Sequence, residues 1–291
     1  MPRSKRLLPD GNPSMPYELH SIGTRDQLRQ TFDQVAQLYD EMRPSYPAAV
    51  FDDLIAFSGV DAQSRIFEIG CGTGHATQAL ASRGFAIDCV ELGENMAALA
   101  QRRLAIYPRV TIAVADFDTW TTAERYDLVY SATAYHWLNP ATRDQRVAAI
   151  IKPEGRLAIW RNRHIRNGSC DAFVDESGAI YAQEAPELTK KRARLPGVEE
   201  VVEAERQEIS AALFDPPLYR LHLWSRPYTA TEYVQMLSTH SDHQLLPAER
   251  RQRLLDRIAT LIETKYGGSV VKDYATVLQI ARKKSGSRTD S

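Results

Sequence analysis

Cysteine is scarce: three in 291 residues, Cys71, Cys89 and Cys170. An odd, sparse set without metal-ligand spacing excludes a disulfide framework and a zinc module, and points to reduced thiols in a cytoplasmic protein. Long apolar runs are also missing; nothing approaches the roughly 18 consecutive apolar residues of a membrane span. Neither charge sign dominates, since 36 Lys and Arg face 37 Asp and Glu for a formal net charge of −1. That excludes a global attraction to nucleic acid or anionic lipid. Internal repeats, a Walker loop and a Ser-His-Asp elbow are absent as well.

What is present is ordinary for a globular chain: 43% hydrophobic and 25% charged residues. The length suits one α/β core with a smaller accessory region. Between Arg65 and Arg161, short β-branched runs alternate with helical patterns, which predicts a parallel sheet with crossover helices. The strands are expected at 65–69, 86–91, 110–114, 126–131 and 156–160, with helices around 76–82 and from a cap at Asn95 to Arg103. Lys152-Pro153-Glu154-Gly155 is expected to turn the chain into the fifth strand. Upstream, residues 24–57 read as helix interrupted by Arg43-Pro44-Ser45-Tyr46-Pro47, where the prolines demand extended backbone. Downstream, 170–206 is charged and helical, 218–224 is a possible strand, 229–238 and 247–266 read as helices, and 270–281 as a last strand.

The resulting expectation is a doubly wound, mostly parallel seven-stranded Rossmann-like sheet with an N-terminal helical lid and a helical cap insertion. Residues 1–23 would be a disordered leader, 24–164 the lid helices and cofactor-binding core, 165–228 the cap, 229–282 the C-terminal helices and last strand, and 283–291 a disordered tail.

Chemistry concentrates where the first strand ends. In Glu68-Ile69-Gly70-Cys71-Gly72-Thr73-Gly74, alternating glycines let the backbone approach a ligand, and the next helix presents unpaired N–H groups. In open α/β sheets such ligands lie beyond the carboxyl ends of the strands. The dinucleotide fingerprint G-x-G-x-x-G/A needs Gly or Ala one place after Gly74, where this chain has His75. Glu91, closing the second strand, can accept hydrogen bonds from a ribose. That fits either a nicotinamide cofactor or S-adenosylmethionine. Asp116-Phe117 after the third strand suits an adenine.

In order and spacing, the glycine turn, Glu91-Leu92, Ala115-Asp116-Phe117, Tyr126-Asp127-Leu128-Val129 and Lys152-Pro153-Glu154-Gly155 resemble the motifs of class I S-adenosylmethionine-dependent methyltransferases. The likeness spans about a third of the chain, Arg65 to Trp160. Ser131 to Leu138 and the upstream Phe32-Asp33-x-x-Ala36-x-x-Tyr39-Asp40 resemble small-molecule members, among them the trans-aconitate and quinone-biosynthesis methyltransferases. By that resemblance the cofactor is S-adenosylmethionine. Its methionine part would lie on Glu68, Gly70, Cys71, Gly72 and Gly74, its ribose on Glu91, and its adenine by Asp116 and Phe117. Leu92, Met96 and Ser131 would complete the shell.

Tyr39 and Arg43 would reach the cofactor from the lid helix. Alternatively, Tyr39 is structural, and Arg43 caps a helix or pairs with Asp40 or Glu41. His136 is the candidate general base, its imidazole titrating near neutral pH; the competing role is packing beside Trp137. Tyr46, Tyr135, Trp137, Trp160, Tyr228 and His240 are candidate walls for the acceptor, and no metal site is expected. Arg161 and Arg163 are either an anion clamp or solvated loop residues. Asp215-Pro216-Pro217-Leu218-Tyr219 resembles the box of amino-methylating nucleic-acid enzymes but falls after the wrong strand, so it reads as a turn. The partner implied is a small organic acceptor, without nucleic acid or membrane. The rival functions are an NAD-dependent oxidoreductase and a non-catalytic S-adenosylmethionine-binding protein.

Overall fold

The computed structural model describes Asp33 and residues 36–168, 170–192, 195–207 and 209–285. The expected leader, the 24–32 stretch and residues 286–291 of the expected tail lie outside the described residues. Two helices come first, α1 (Ala36–Met42) and α2 (Ala48–Ser58). There follow β1 (Arg65–Ile69), α3 (His75–Ala81), β2 (Ala86–Glu91), α4 (Glu94–Leu104), β3 (Val110–Val114) and β4 (Tyr126–Ala132). A short 3₁₀ turn (Tyr135–Trp137) leads to α5 (Arg143–Ile150) and β5 (Ile151–His164). The last part comprises α6 (Asp171–Glu184), α7 (Pro186–Arg192), α8 (Val201–Glu205), β6 (Leu218–Thr229), α9 (Ala230–Ser238), α10 (Ser241–Gln244), α11 (Ala248–Lys265) and β7 (Ser269–Arg282).

The seven strands form one sheet in the order β3-β2-β1-β4-β5-β7-β6. β1 to β5 run parallel, and β7 is antiparallel to both neighbours. β1 and β4 lie in the middle of the sheet and are almost wholly buried, the continuous apolar pattern of strands covered on both faces. Phe51, Leu54, Leu80, Ala100 and Trp160 fill one face, and Phe67, Phe117, Val147 and Ile159 the other.

Several elements depart from the sequence reading. Asn95 does not cap α4; the N-cap is Gly93, and Asp33 accepts the free N–H groups of Asn95 (2.8 Å) and Met96 (3.0 Å) from outside the helix. Lys152 to Gly155 do not precede β5 but lie within it. There the register with β4 shifts and Glu154 takes φ 65°. Lys152 pairs with Asp127 (2.8 Å), which also accepts the Arg65 N–H (2.8 Å). Both motif residues therefore tie strand starts together, at the sheet edge opposite the glycine turn.

The cap boundaries also move. Residues 218–228, expected in the cap, belong to β6 at the sheet edge. The helices expected to complete the core instead pack with α6 and α7: Tyr181, Leu188, Tyr233, Leu237, Leu254 and Ile258 share one cluster with Tyr228 and Tyr274. One cap is thus built from two separate insertions. Its α9 starts on a capping box, in which Thr229 Oγ1 accepts the Glu232 N–H (3.2 Å) and Glu232 accepts the Thr229 N–H (2.9 Å).

Candidate active site

Gly70, Gly72 and Gly74 all occupy the left-handed region, at φ 71°, 56° and 87°. A Cβ on Gly70 would lie 2.5 Å from the Ala134 Cβ, and one on Gly74 would lie 3.0 Å from Leu104. Those two glycines admit close packing of the turn. Gly72 is different, for among the described residues no atom beyond its chain neighbours lies within 4 Å of its would-be Cβ. Left-handed backbone beside open space is what a glycine that admits a ligand provides.

Glu91 sits beside this opening. Its two carboxylate oxygens accept the Gly72 N–H (2.8 Å) and the Gly93 N–H (2.9 Å), each keeping lone pairs for a hydroxyl. Burial raises its pKa against the lowering effect of those bonds. Leu92 is exposed beside it, and Met96 is buried behind. Asp116 takes the Asp118 N–H on one oxygen (3.0 Å), and buried Phe117 packs against Phe67 with centroids 6.2 Å apart. Glu91, Asp116 and the open face of Gly72 thus line the carboxyl ends of β1, β2 and β3.

Glu68 and Ser131 lie behind the turn instead. Glu68 is 1% exposed, takes hydrogen bonds from Thr77 and Tyr130 at 2.5 Å each, and is raised by burial to about 7. Ser131 is buried and donates to the Ile69 carbonyl (3.0 Å), fastening β4 to β1. Cys71 is buried beside Cys89, which, with burial, lifts its thiol pKa well above the usual value.

Beyond β4, Thr133 holds a left-handed φ of 65° and shares a 2.7 Å hydrogen bond with the Tyr46 hydroxyl. Tyr46 meets Trp160 edge-on at 5.8 Å, and the Trp160 ring stacks on Tyr130 at 5.1 Å. The Trp160 indole N–H is buried without a hydrogen-bond partner among the described residues. Tyr135 is sealed in, donating its hydroxyl to Asp144 under the Arg143 guanidinium. His136 is half-buried against Trp137, rings 4.8 Å apart, and lines a cleft with Thr133, Arg161, Glu205 and Gln279. Arg161 and Arg163 are strand residues, not loop residues, and both pair with the buried Glu205. That pairing takes the place of the solvated loop and of a free anion clamp.

The Arg43–Pro47 coil joins these parts. Its Pro44 and Ser45 carbonyls accept from the Asn162 amide on β5 (3.3 and 3.2 Å), and Tyr46 reaches Thr133 at the end of β4. Arg43 leans over the Tyr39 ring (5.0 Å) and donates to Thr239 Oγ1 (2.8 Å) and the Thr239 carbonyl (3.2 Å). Of the alternatives for Arg43, the structure therefore has it capping a helix, α9, from 196 residues away in sequence. Tyr228 lies in the cap core with its hydroxyl 2.9 Å from that of Tyr274.

His240, the N-cap of α10, follows Thr239 directly in the chain. Burial and then the Arg43 charge hold its pKa well below the usual imidazole value. His240, Asp242 and His243 place ligand-type atoms within 4.8 Å of one another, a grouping that spacing in the sequence did not suggest. His243, however, has both nitrogens engaged, one with Asp242 (2.7 Å) and one with the Tyr181 hydroxyl (2.7 Å). That engagement argues for a structural pair rather than a metal centre. Also missed in the sequence were Asn162, Thr133 and Lys272. Thr133 lies within the Ser131–Leu138 segment but was not picked out there; Asn162 and Lys272 sit in no motif, and strand pairing sets their places.

Residues 66–155 match the family described as a methyltransferase domain. An uncharacterized methyltransferase of Mycobacterium tuberculosis (strain ATCC 25618 / H37Rv) is 26% identical over 242 residues, covering 83% of this chain and 89% of the relative. Malonyl-acyl-carrier-protein O-methyltransferase of Priestia megaterium is 29% identical over 55% of this chain and 61% of its own length. Trans-aconitate 2-methyltransferase of Methylobacterium radiotolerans is 32% identical over 39% and 42%. Among solved structures, the cyclase SpnF superposes with a TM-score of 0.53 at 17% identity, covering 91% of this chain and 98% of that one, a likeness of fold alone.

Sheet order, glycine turn and these matches define a class I methyltransferase fold. The chain carries a methyltransferase domain, and the relatives matched over 83% of its length are methyltransferases. Among the described residues, no helix is long and apolar enough to cross a membrane.

Proposed function

We propose that this chain methylates a small organic acceptor, with the donor on the glycine turn and the acceptor between the Arg43–Pro47 coil and the cap. The observation that carries the donor half is Gly72, left-handed and facing open space beside the Glu91 carboxylate. When bound, S-adenosylmethionine supplies a methyl group already activated on a sulfonium. The chain then has to bind, align and exclude water. Gly72 gives the methionine part close access to backbone, Glu91 receives the ribose hydroxyls, and Asp116 receives the adenine amine. A nicotinamide cofactor is disfavoured because His75 stands where the dinucleotide turn needs a small residue.

The small-acceptor reading is supported by the relatives named for trans-aconitate and for the malonyl group of malonyl-acyl-carrier protein. His136 takes up a proton where the acceptor has one to lose, since it lines the cleft at the end of β4. Work in the cytoplasm is supported by three unpaired cysteines among the described residues.

Titration with S-adenosylhomocysteine tests the assignment. Glu91→Ala should weaken binding by about 1–3 kcal/mol, the range for a lost hydrogen bond to a charged group; unchanged affinity would remove Glu91 from the ribose. His136→Ala should slow turnover of methyl-labelled donor while leaving that affinity intact. Full turnover would return His136 to packing against Trp137.

A further inference from the structure

The sheet ends on an open edge. β6 (Leu218–Thr229) stands last in the strand order, bonded to β7 on one side and, among the described residues, to no strand on the other. Its 12 residues make it about twice as long as an ordinary strand. A long bare edge presents unpaired N–H and C=O groups, and charge along it is the usual means of blunting it. Here the charge is turned away. Arg220 lies over the Phe57 ring (4.0 Å) and His222 is 3.3 Å from Asp53, both on α2, while Arg226 lies over the Tyr228 ring (4.7 Å).

Pro227 shows which residues of β6 face outward. It has no N–H, so it fits the set that does not bond to β7. Tyr219, Leu221, Leu223 and Ser225 alternate into that same set, and the Tyr219 carbonyl accepts from the Arg220 side chain (3.2 Å). Their side chains stand on the α8 face, for Leu221 and Leu223 pair with Val277 and Ala275, which share a cluster with Val201. Leu221 is 36% exposed and Leu223 48%. From Tyr219 to Ser225 this face carries no charge.

We propose that β6 joins two copies of this chain, edge to edge and antiparallel, in one sheet continued across a two-fold axis. A second copy is the occupant because the strand is complementary to itself. In the register centred on His222, Leu221 stands opposite Leu223 of the second copy, and Leu223 opposite its Leu221. Four leucines then meet on one face. On the other face Arg220 stands opposite Trp224 of the second copy, a cation–π pair, and no two arginines meet. Registers centred on Leu221 or on Leu223 set Arg220 against His222 or against Arg226 instead, and like charges directly opposite destabilise a sheet. The outward groups of Tyr219, Leu221, Leu223 and Ser225 face their counterparts in the His222 register, enough for about eight ladder hydrogen bonds. A net charge of −1 per copy adds little repulsion.

Sedimentation of the full chain from about 1 to 100 µM tests this, and should show a monomer passing to a dimer. Leu221→Lys with Leu223→Lys sets lysine opposite lysine and should weaken association by about tenfold or more. Leu221→Glu with Leu223→Lys changes the same two positions but sets glutamate opposite lysine. It should associate at least about tenfold more tightly than the dilysine variant, with the difference shrinking as salt rises. Because both leucines are exposed, each variant should melt within a few degrees of wild type, which checks that it folds. Affinity for S-adenosylhomocysteine should stay within about twofold in all three proteins, since the glycine turn follows β1, four strands from β6. A wild-type chain monomeric throughout would overturn the pairing and leave the edge to another partner. Dimers that ignore both double substitutions would place the interface elsewhere, and equal association of the two variants would overturn the pairing as drawn.

Discussion

Burial raises the Glu68 carboxyl to about 7, although Thr77 and Tyr130 both donate to it. The folded chain thus holds this proton more tightly than the unfolded one. The resulting stabilisation is complete below about pH 4.5 and is lost as pH rises through about 7. Glu68→Gln keeps an oxygen for both hydroxyls and removes the charge. The variant should be about 1–3 kcal/mol more stable than wild type at pH 8 and nearly equal at pH 5. Urea unfolding followed by tryptophan fluorescence measures both; parallel pH profiles would show that another group sets the slope. The motif acid is, on this view, a buried pin between α3 and β4, and the acid at the opening is Glu91.

At the scale of elements, the lid helix is held by charge more than by apolar area. Ala36 is its buried apolar residue, while Asp40 pairs with Arg103 on α4 (2.8 Å) and with His75 at the start of α3 (3.1 Å). Burial works to raise the Asp40 pKa, but hydrogen bonds with Thr73 and Arg103 hold it below the usual value. Burial, and then Arg103, lower that of His75. Arg103 also donates to the Thr73 carbonyl inside the glycine turn (2.7 Å). A single guanidinium therefore links lid, turn and α4. Arg103→Ala should release the lid, weakening S-adenosylhomocysteine by roughly threefold to tenfold, about one kcal/mol of partly buried ion pair. Limited proteolysis near Ala36–Met42 should accelerate in parallel; a variant with wild-type affinity and cleavage rate would show that the clamp is decorative.

For the molecule as a whole, legibility followed sequence distance. β1, β2 and β3 were read with their boundaries because each is a short apolar run bounded by turn residues, a signal contained in a few positions. The proposed donor site could be put forward for the same reason, since the turn, Glu91 and Asp116 each stand at or just beyond the end of a strand. The cap was not. Its single core joins Tyr181 and Leu188 to Tyr233 and Leu254 across β6, and helical periodicity cannot say which helices share a core. Arg43 was ambiguous because its partner Thr239 is remote in the chain. The burial of Lys272 was invisible because it comes from pairing with β6 and from the cover of α9, neither of which is a local signal.

The two-insertion cap divides the molecule's labour in a way the linear chain conceals. Everything assigned to the donor falls within the span that matches a methyltransferase domain, apart from the lid contacts, whereas Arg43, Asn162, His240 and Lys272 all fall outside it. The cap is therefore a structural module. It is assembled from two insertions that both follow the matched span, α6 with α7 and α9 with α10 and α11, so these segments form a natural unit for exchange that leaves the glycine turn untouched.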